Sequence, residues 1–445
     1  MEEINPNKGD ISLRHIFNTW WPLAVSWLFM GFELPALSAI VARLENPEIN
    51  LAAYGGIVFP IALIIESPIV MLLAASTALS KDQPSYNKLW KFMMISSAAL
   101  TGIHLLIVLS PLYFFVTKNI IGAPIEIIEP ARIGLLIMLP WTWAIAYRRF
   151  NQGMLIRFGH SRAIGIGTGI RFFANLFILT IGYFTRVFPG IVVATSAVAF
   201  GVTTEAIYIG LRIRPVIRKE LKFAKHIEPP LSYRNFLGFY IPLVMTSLLT
   251  FVVQPIGSAA MSRMPQPLES LAVWPVISGL VFLMRGMGVA YNEVVISLIG
   301  QENSYRSLRR FTFGLGLIST ILITIFTSTA LSELWFSSFS GLSPVLTKLA
   351  QNSMWFALLM PGLNVFQSWF QGALLDYGKT RGITEAVIIF IFTIIIVLLS
   401  GVALNRFPGI YITIVAYGLG MVVQTFWLWF RSRAAFQKVK NRDFF

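Results

Sequence analysis

Residues 11–57, ISLRHIFNTWWPLAVSWLFMGFELPALSAIVARLENPEINLAAYGGI, lie without a gap over residues 231–277, LSYRNFLGFYIPLVMTSLLTFVVQPIGSAAMSRMPQPLESLAVWPVI. The two stretches agree at Ser12, Arg14, Pro22, Leu23, Leu28, Pro35, Ser38, Ala39, Arg43, Pro47, Leu51, Ala52 and Ile57, which is 13 positions of 47. Chance in so biased a composition gives on the order of three or four matches and does not pair three prolines within one helix-loop unit. The offset of 220 then falls by one and continues. Ser85, Tyr86 and Leu89 lie over Ser304, Tyr305 and Leu308. Gln152, Gly153, Gly159 and Arg162 lie over Gln371, Gly372, Gly378 and Arg381, and Pro189-Gly190-Ile191 over Pro408-Gly409-Ile410. The chain is a tandem duplication.

The duplicated unit is a membrane bundle. Of 445 residues, 56% are hydrophobic and 12% charged, with a mean hydropathy of +0.71, where soluble domains are about a quarter charged. Each crossing of the hydrocarbon core takes roughly 20 apolar residues. Apolar stretches between charged or Gly/Pro-rich breaks place twelve spans at 16–43, 51–80, 90–116, 131–157, 164–184, 190–213, 233–262, 270–300, 309–332, 347–375, 383–404 and 409–433. Little chain is left over, which excludes a sizeable soluble catalytic domain. Six spans per repeat is an even number, so the halves share one orientation and are related by a two-fold axis along the membrane normal, with a cavity between them. The expected fold is all-α: an N-terminal lobe over 1–213, a basic linker over 214–232 and a C-terminal lobe over 233–445. The linker is expected to lie as an amphipathic helix on anionic headgroups.

The net charge of +15 follows the positive-inside rule rather than a nucleic-acid interface. Of the 35 Lys and Arg, 26 fall toward the face carrying both termini, Arg148 and Arg149 near that end of the fourth span among them, and seven on the other, with Arg171 and Arg285 deeper inside spans. Both termini are therefore expected in the cytoplasm, in a multi-pass protein of the plasma (inner) membrane. Residues 1–14 do not read as a signal peptide. The chain has no cysteine, which removes disulfides, thiolate metal sites and cysteine nucleophiles. A lipid bilayer and a small-molecule substrate are the expected partners, with no nucleic acid, no cofactor and a monomeric state.

The proline-broken first helix of each half, the stretch LENPEINLAAYG (44–55) and the signatures FNQGMLIRFGHSR (150–162) and FQGALLDYGKTR (370–381) resemble the multidrug/oligosaccharidyl-lipid/polysaccharide (MOP) exporter superfamily. Within it the chain is most similar to multidrug and toxic-compound extrusion (MATE) transporters, and WWPLA (20–24) resembles the related progressive ankylosis exporters. The resemblance implies a V-shaped pair of bundles exchanging inward- and outward-open states. It also implies a proton- or sodium-coupled antiporter that exports amphipathic organic solutes. MATE transporters carry a first-helix Asp one position from where this chain has Glu33.

An ionisable side chain in hydrocarbon is costly unless it faces protein or water, so each marks a candidate site. Glu33 lies in MGFELPALS, two residues before Pro35, which cannot donate to the Gly31 carbonyl. A carboxylate beside a freed carbonyl can hold a proton or small cation, the coupling ion being H+ or Na+, or it can pair with an arginine to pack helices. Glu66 of the second span aligns with Arg285 of the eighth, which raises an ion pair between lobes or cavity residues that never meet. Arg285, Asn292 and Glu293 share one face of the eighth span. Asn364, Gln367, Ser368 and Gln371 stripe the tenth span, as Arg148, Arg149 and Gln152 stripe the fourth. Such stripes line the transport path or bond neighbouring helices. Arg171 and Glu205 read as a structural pair or as residues near the cytoplasmic face, and His104 as a helix–helix hydrogen bond. Trp141, Trp143, Trp355 and Trp369 offer flat surfaces to a substrate.

Acids and bases within spans nearly balance, so charge does not choose between cationic cargo, anionic cargo and a lipid-linked precursor. The competing class, a membrane-embedded transferase, needs an acid/base or metal constellation on a loop. The loop acids Glu45, Glu48, Glu126 and Glu129 have no histidine beside them, so an enzyme is not expected.

Overall fold

The structure is a computed structural model describing residues 11–226 and 228–444. Ten helices among these residues are long and apolar enough to cross a bilayer: Leu13–Val41, Pro47–Leu79, Gln83–Leu109, Arg162–Thr185, Gly190–Phe223, Tyr233–Met261, Pro267–Leu298, Ser304–Ser328, Arg381–Leu404 and Gly409–Asp443. The fourth and tenth spans are each broken. The fourth consists of Ile125–Ile137 and Leu139–Arg157 meeting at Met138. The tenth consists of Pro344–Met354, a 3₁₀ turn and Met360–Asp376. In both, a proline (Pro140, Pro361) opens the second segment, where its missing N–H costs least. The twelve spans fall into the two six-helix bundles.

The residues shared between the repeats build the same local structures twice. Ser12 and Ser232 cap the first helix of each lobe by accepting the N–H of His15 and Asn235. Asn46 and Gln266 both take left-handed φ (50° and 55°) and turn the chain into Pro47 and Pro267 at the next helix start. Asn50 Oδ1 and Ser270 Oγ accept from the N–H of Ile191 and Ile410, fastening the sixth span of each lobe to its second. One difference explains the change of offset. The second span contains a π turn, Tyr54–Val58, whereas the eighth is α-helical throughout Pro267–Leu298. An i→i+5 turn accommodates one extra residue, and it lies where the offset falls from 220 to 219.

The lobes meet along the first and eighth spans, symmetrically along the seventh and second, and along the second and eighth. Small residues let these helices approach closely. A Cβ on Gly55 would sit 2.6 Å from Pro275, and one on Gly31 2.9 Å from the Leu283 backbone. Near the end carrying the termini, Trp20 Nε1 donates to the Met287 carbonyl at 2.9 Å, and its repeat partner Tyr240 donates its hydroxyl to the Pro68 carbonyl. At the opposite end two arginines clasp the lobes. Arg43 donates to its own helix at Ala39 O (2.6 Å) and across the interface to Ser338 O. Arg263 donates to Ala259 O (2.7 Å) and across to the carbonyls of Ile121 (2.7 Å), Ile120 (2.7 Å) and Asn119 (3.0 Å). Each arginine thus caps exposed carbonyls at the end of a π turn, where a cation complements the helix dipole. Gly122 and Gly341, both left-handed, end those turns with no side chain in the guanidinium's way.

The linker departs from expectation at its start. The sixth helix continues as Gly190–Lys219 into the stretch assigned to the linker, burying Val216, and a 3₁₀ turn at Leu221–Phe223 follows with Leu221 fully buried. Val216 and Leu221 pull this segment onto the bundle, so no separate surface helix forms among the described residues.

Candidate functional site

Fourth, fifth and sixth spans of the N-terminal lobe bring a chain of charges to the first helix. Arg148 and Gln152 are four residues apart and share a face of the fourth span, as Arg171 and Asn175 do on the fifth. Glu205, fully buried on the sixth, receives from both. Arg148 Nη1 lies 2.5 Å from Glu205 Oε2 and Gln152 Nε2 donates to Oε1 at 3.0 Å. Arg171 bridges outward, with Nη1 3.5 Å from Glu205 Oε2 and Nη2 2.9 Å from Glu33 Oε2. Asn175 Nδ2 donates to Glu33 Oε1. Gly201 makes room: a Cβ there would sit 1.6 Å from Asn175 Oδ1 and 3.0 Å from the Arg171 carbonyl.

Glu33 therefore does not stand alone beside Pro35. It is the terminal group of the series Glu33–Arg171–Glu205–Arg148, which ties the first helix to three others. Arg148 is 4% and Glu205 0% exposed, so the inner pair is sealed, while the Glu33 side chain keeps 21% of its surface. Pro35 packs against the other lobe, its Cδ 3.0 Å from where a Gly279 Cβ would sit. The group that ends the charge chain is thus two residues from the lobe interface.

Beside this series lie Glu66 and Arg149. Glu66 is 6% exposed, sits in the field of Arg149, Arg148 and Arg171, and its Oε2 has no hydrogen-bond partner in the protein. Further buried atoms without protein partners are Nε of Arg148, Arg149 and Arg171, Gln152 Oε1 and Asn175 Oδ1. Buried polar groups are normally paired. The carboxylate and amide oxygens among them are hard donors of the kind a proton or sodium ion takes.

Glu66 and Arg285 form no ion pair: Glu66 faces the arginines of its own lobe and Arg285 faces Tyr417. Arg285 lines a cavity of about 130 Å³ with Gln254, Trp274, Ser278 and Tyr417. No carboxylate lies within ion-pair distance of it among the described residues, and its Nε has no partner. Asn292 and Ser368 bind across the eighth and tenth spans, through Asn292 Nδ2 to Ser368 O (3.1 Å) and Ser368 Oγ to Gly288 O (2.7 Å). Asn364 is buried against Gly288. Gln367 donates to Thr425 Oγ1 (3.0 Å), Gln424 Oε1 (3.2 Å) and Met421 O (3.2 Å) of the twelfth span. Asn292, Gln367 and Ser368 thus bond neighbouring helices, whereas Asn364 Oδ1 has no hydrogen-bond partner. Gln371 is half-buried and Glu293 exposed toward the end of the eighth span. His104 pairs with Thr142 at 3.1 Å. Trp141 and Trp369 are buried, whereas Trp143 and Trp355 lie on the outside.

Sequence reasoning left Asn175 out and set Arg171 and Glu205 aside as structural. The signal that could have found Asn175 is its four-residue spacing from Arg171.

Neither a protein-family model nor a curated protein sequence matches the chain. Solved structures do. The chain is similar to a multidrug resistance MATE family transporter of the MOP superfamily in its inward-facing conformation, with a TM-score of 0.73, 14% identity, and 94% of this chain and 99% of that one covered. Against an outward-facing conformation of such a transporter the TM-score is 0.62 at 14% identity, covering 99% and 100%. The lipid II flippase MurJ in an inward closed conformation gives 0.68 at 17% identity, covering 94% and 90%. The chain has the two-lobed helical fold of the MATE transporters and MurJ over nearly its whole length.

Proposed function

We propose that the protein is a secondary active transporter that moves an amphipathic organic solute by rocking its two lobes, coupled to H+ or Na+ at Glu33. The observation carrying this reading is the position of Glu33, at the end of a buried charge chain and two residues from the proline that packs against the opposite lobe. While Glu33 is ionised, Arg171 and Asn175 hold the first helix against the fifth. A proton on Glu33, or a cation replacing Arg171 at it, removes that hold, and Arg171 keeps Glu205 as its partner. The first helix is then free to bend at Pro35, where the helical hydrogen bond is missing. Because this helix forms much of the contact with the eighth span, its movement alters the lobe interface. Export as an antiporter follows when ion entry and solute exit use opposite states of the same pair of lobes.

Arg285 favours a second reading of the cargo. Among the described residues no acid pairs with this cation, so an organic anion entering the small cavity around it would provide the missing charge.

The test is transport by purified protein in liposomes, using a panel of organic cations and organic anions under imposed proton or sodium gradients. We expect one gradient to accelerate wild-type transport, and Glu33→Gln to abolish the acceleration while binding of the same solute remains measurable. Gradient-driven transport unchanged in Glu33→Gln would remove Glu33 from coupling.

A further inference from the structure

In the second lobe the tenth span lies between the ninth and the twelfth. Near the end that carries the C-terminus it floors a groove of about 390 Å³ with Trp369 and Phe370. Three cations line this groove, Arg309 from the ninth span and Arg433 and Lys440 from the twelfth, and among the described residues no carboxylate does. Asp443, three residues beyond Lys440, is already held. Its Oδ1 lies 2.8 Å from Arg442 and its Oδ2 accepts the Tyr305 N–H at 2.9 Å, pinning the last helix to the start of the ninth.

The lining is graded. Lys440 and Tyr305 stand at the pinned end, with the ammonium 5.3 Å from the ring centroid. Arg309 and Arg433 follow, the latter 3.9 Å from the Trp429 ring. Phe313, Phe366 and Trp429 then form an apolar wall. From Tyr305 to Phe313 the ninth helix rises about 12 Å, at 1.5 Å per residue. A cationic mouth over an aromatic slot is the complement of an amphiphile with an anionic head. Phe313 and Trp429 are exposed on the outside of the bundle, where the acyl chains of a bilayer lie.

The first lobe supplies an internal control. At the repeat offset, Arg309 corresponds to Trp90 and Lys440 to Leu221, which is fully buried, whereas Arg433 corresponds to Arg214. Two of the groove's three cations therefore belong to one lobe and are not a by-product of the shared scaffold.

We propose that this groove binds a phospholipid with a phosphomonoester headgroup, the phosphate against Arg309, Arg433 and Lys440 and the chain along Phe313, Phe366 and Trp429. Arginine suits this role because its fork meets phosphate oxygens in pairs. The proposal needs only a membrane-embedded bundle, so its failure leaves the transport reading untouched, and loss of coupling at Glu33 leaves it untouched in turn.

The full chain in a neutral maltoside detergent is titrated with dihexanoyl phosphatidic acid, dihexanoyl phosphatidylcholine and inorganic phosphate, following tryptophan fluorescence. Saturable binding of the phosphatidic acid is expected, with the other two at least about tenfold weaker. Arg309→Gln and Arg433→Gln, which keep the aromatic walls, should each weaken it about tenfold, the size of one lost charge-assisted contact. Phosphate binding as tightly as the lipid would make this a free-anion site, and phosphatidylcholine binding as tightly would reduce it to an apolar groove. Either result overturns the proposal, as does wild-type affinity in either variant.

Discussion

The two lobes join their fourth and sixth spans at equivalent positions by different chemistry. In the first lobe Arg148 and Glu205 form an ion pair at 2.5 Å. In the second the corresponding residues are Gln367 and Gln424, joined at 3.2 Å by a neutral amide hydrogen bond. The difference widens outward. Arg171 and Glu33 carry the first lobe's charges to its leading helix, where the second lobe has Phe390 and Val253 packed in an apolar cluster with Ile394 and Leu398. One scaffold therefore stands with either filling. Since the neutral lobe forms the same helices and caps, the fold does not require the charges of the first lobe, and their burial has to be explained by what they do.

The largest test of this contrast is Glu205→Ala. It leaves Arg148 without a carboxylate and Arg171 with Glu33 alone, and stranding a buried charge costs roughly 3–5 kcal/mol. Equilibrium unfolding in mixed micelles should show a loss of that size. A loss near that of an ordinary polar truncation would mean that water already solvates the pair. A smaller effect is expected when the first lobe is given the second lobe's chemistry, through Arg148→Gln with Glu205→Gln. The double variant should be more stable than the sum of the two single losses by about 1–3 kcal/mol, the coupling energy of residues in one network. Additive losses would break the equivalence between the ion pair and the amide pair.

Much of this architecture was legible because it is periodic or repeated. Apolar runs separated by polar breaks located the spans, and the pairing of Pro22, Pro35 and Pro47 with Pro242, Pro255 and Pro267 exposed the two lobes. The one-residue change of offset was visible too, but its cause, the π turn at Tyr54–Val58, was not, since hydropathy cannot distinguish one helical hydrogen-bond pattern from another. The site was legible only as a set of unexplained charges. Which of them meet depends on how helices rotate about their own axes. An arginine's reach of several ångströms let Glu66 pair on paper with Arg285, while packing turned each toward its own lobe. Arg43 and Arg263 were counted merely as loop charges of the outer face. Their role as clasps depends on carbonyls freed at the ends of π turns 295 residues from Arg43 and 142 from Arg263 in sequence, which no local pattern records.

The finest test compares Gln152→Ala with Gln367→Ala, since both glutamines reach from the fourth-type to the sixth-type span. Gln152 donates to an ionised carboxylate at 3.0 Å, and hydrogen bonds to charged groups contribute about 1.5–3 kcal/mol. Gln367 donates only to neutral oxygens, and such bonds between helices in membranes average about 0.6 kcal/mol. The first variant should therefore lose at least twice the stability of the second in the same micellar unfolding assay. If the losses are equal, Glu205 draws no more from its surroundings than Gln424 does, and the charge of the first lobe must be sought in transport rather than in the strength of the tie.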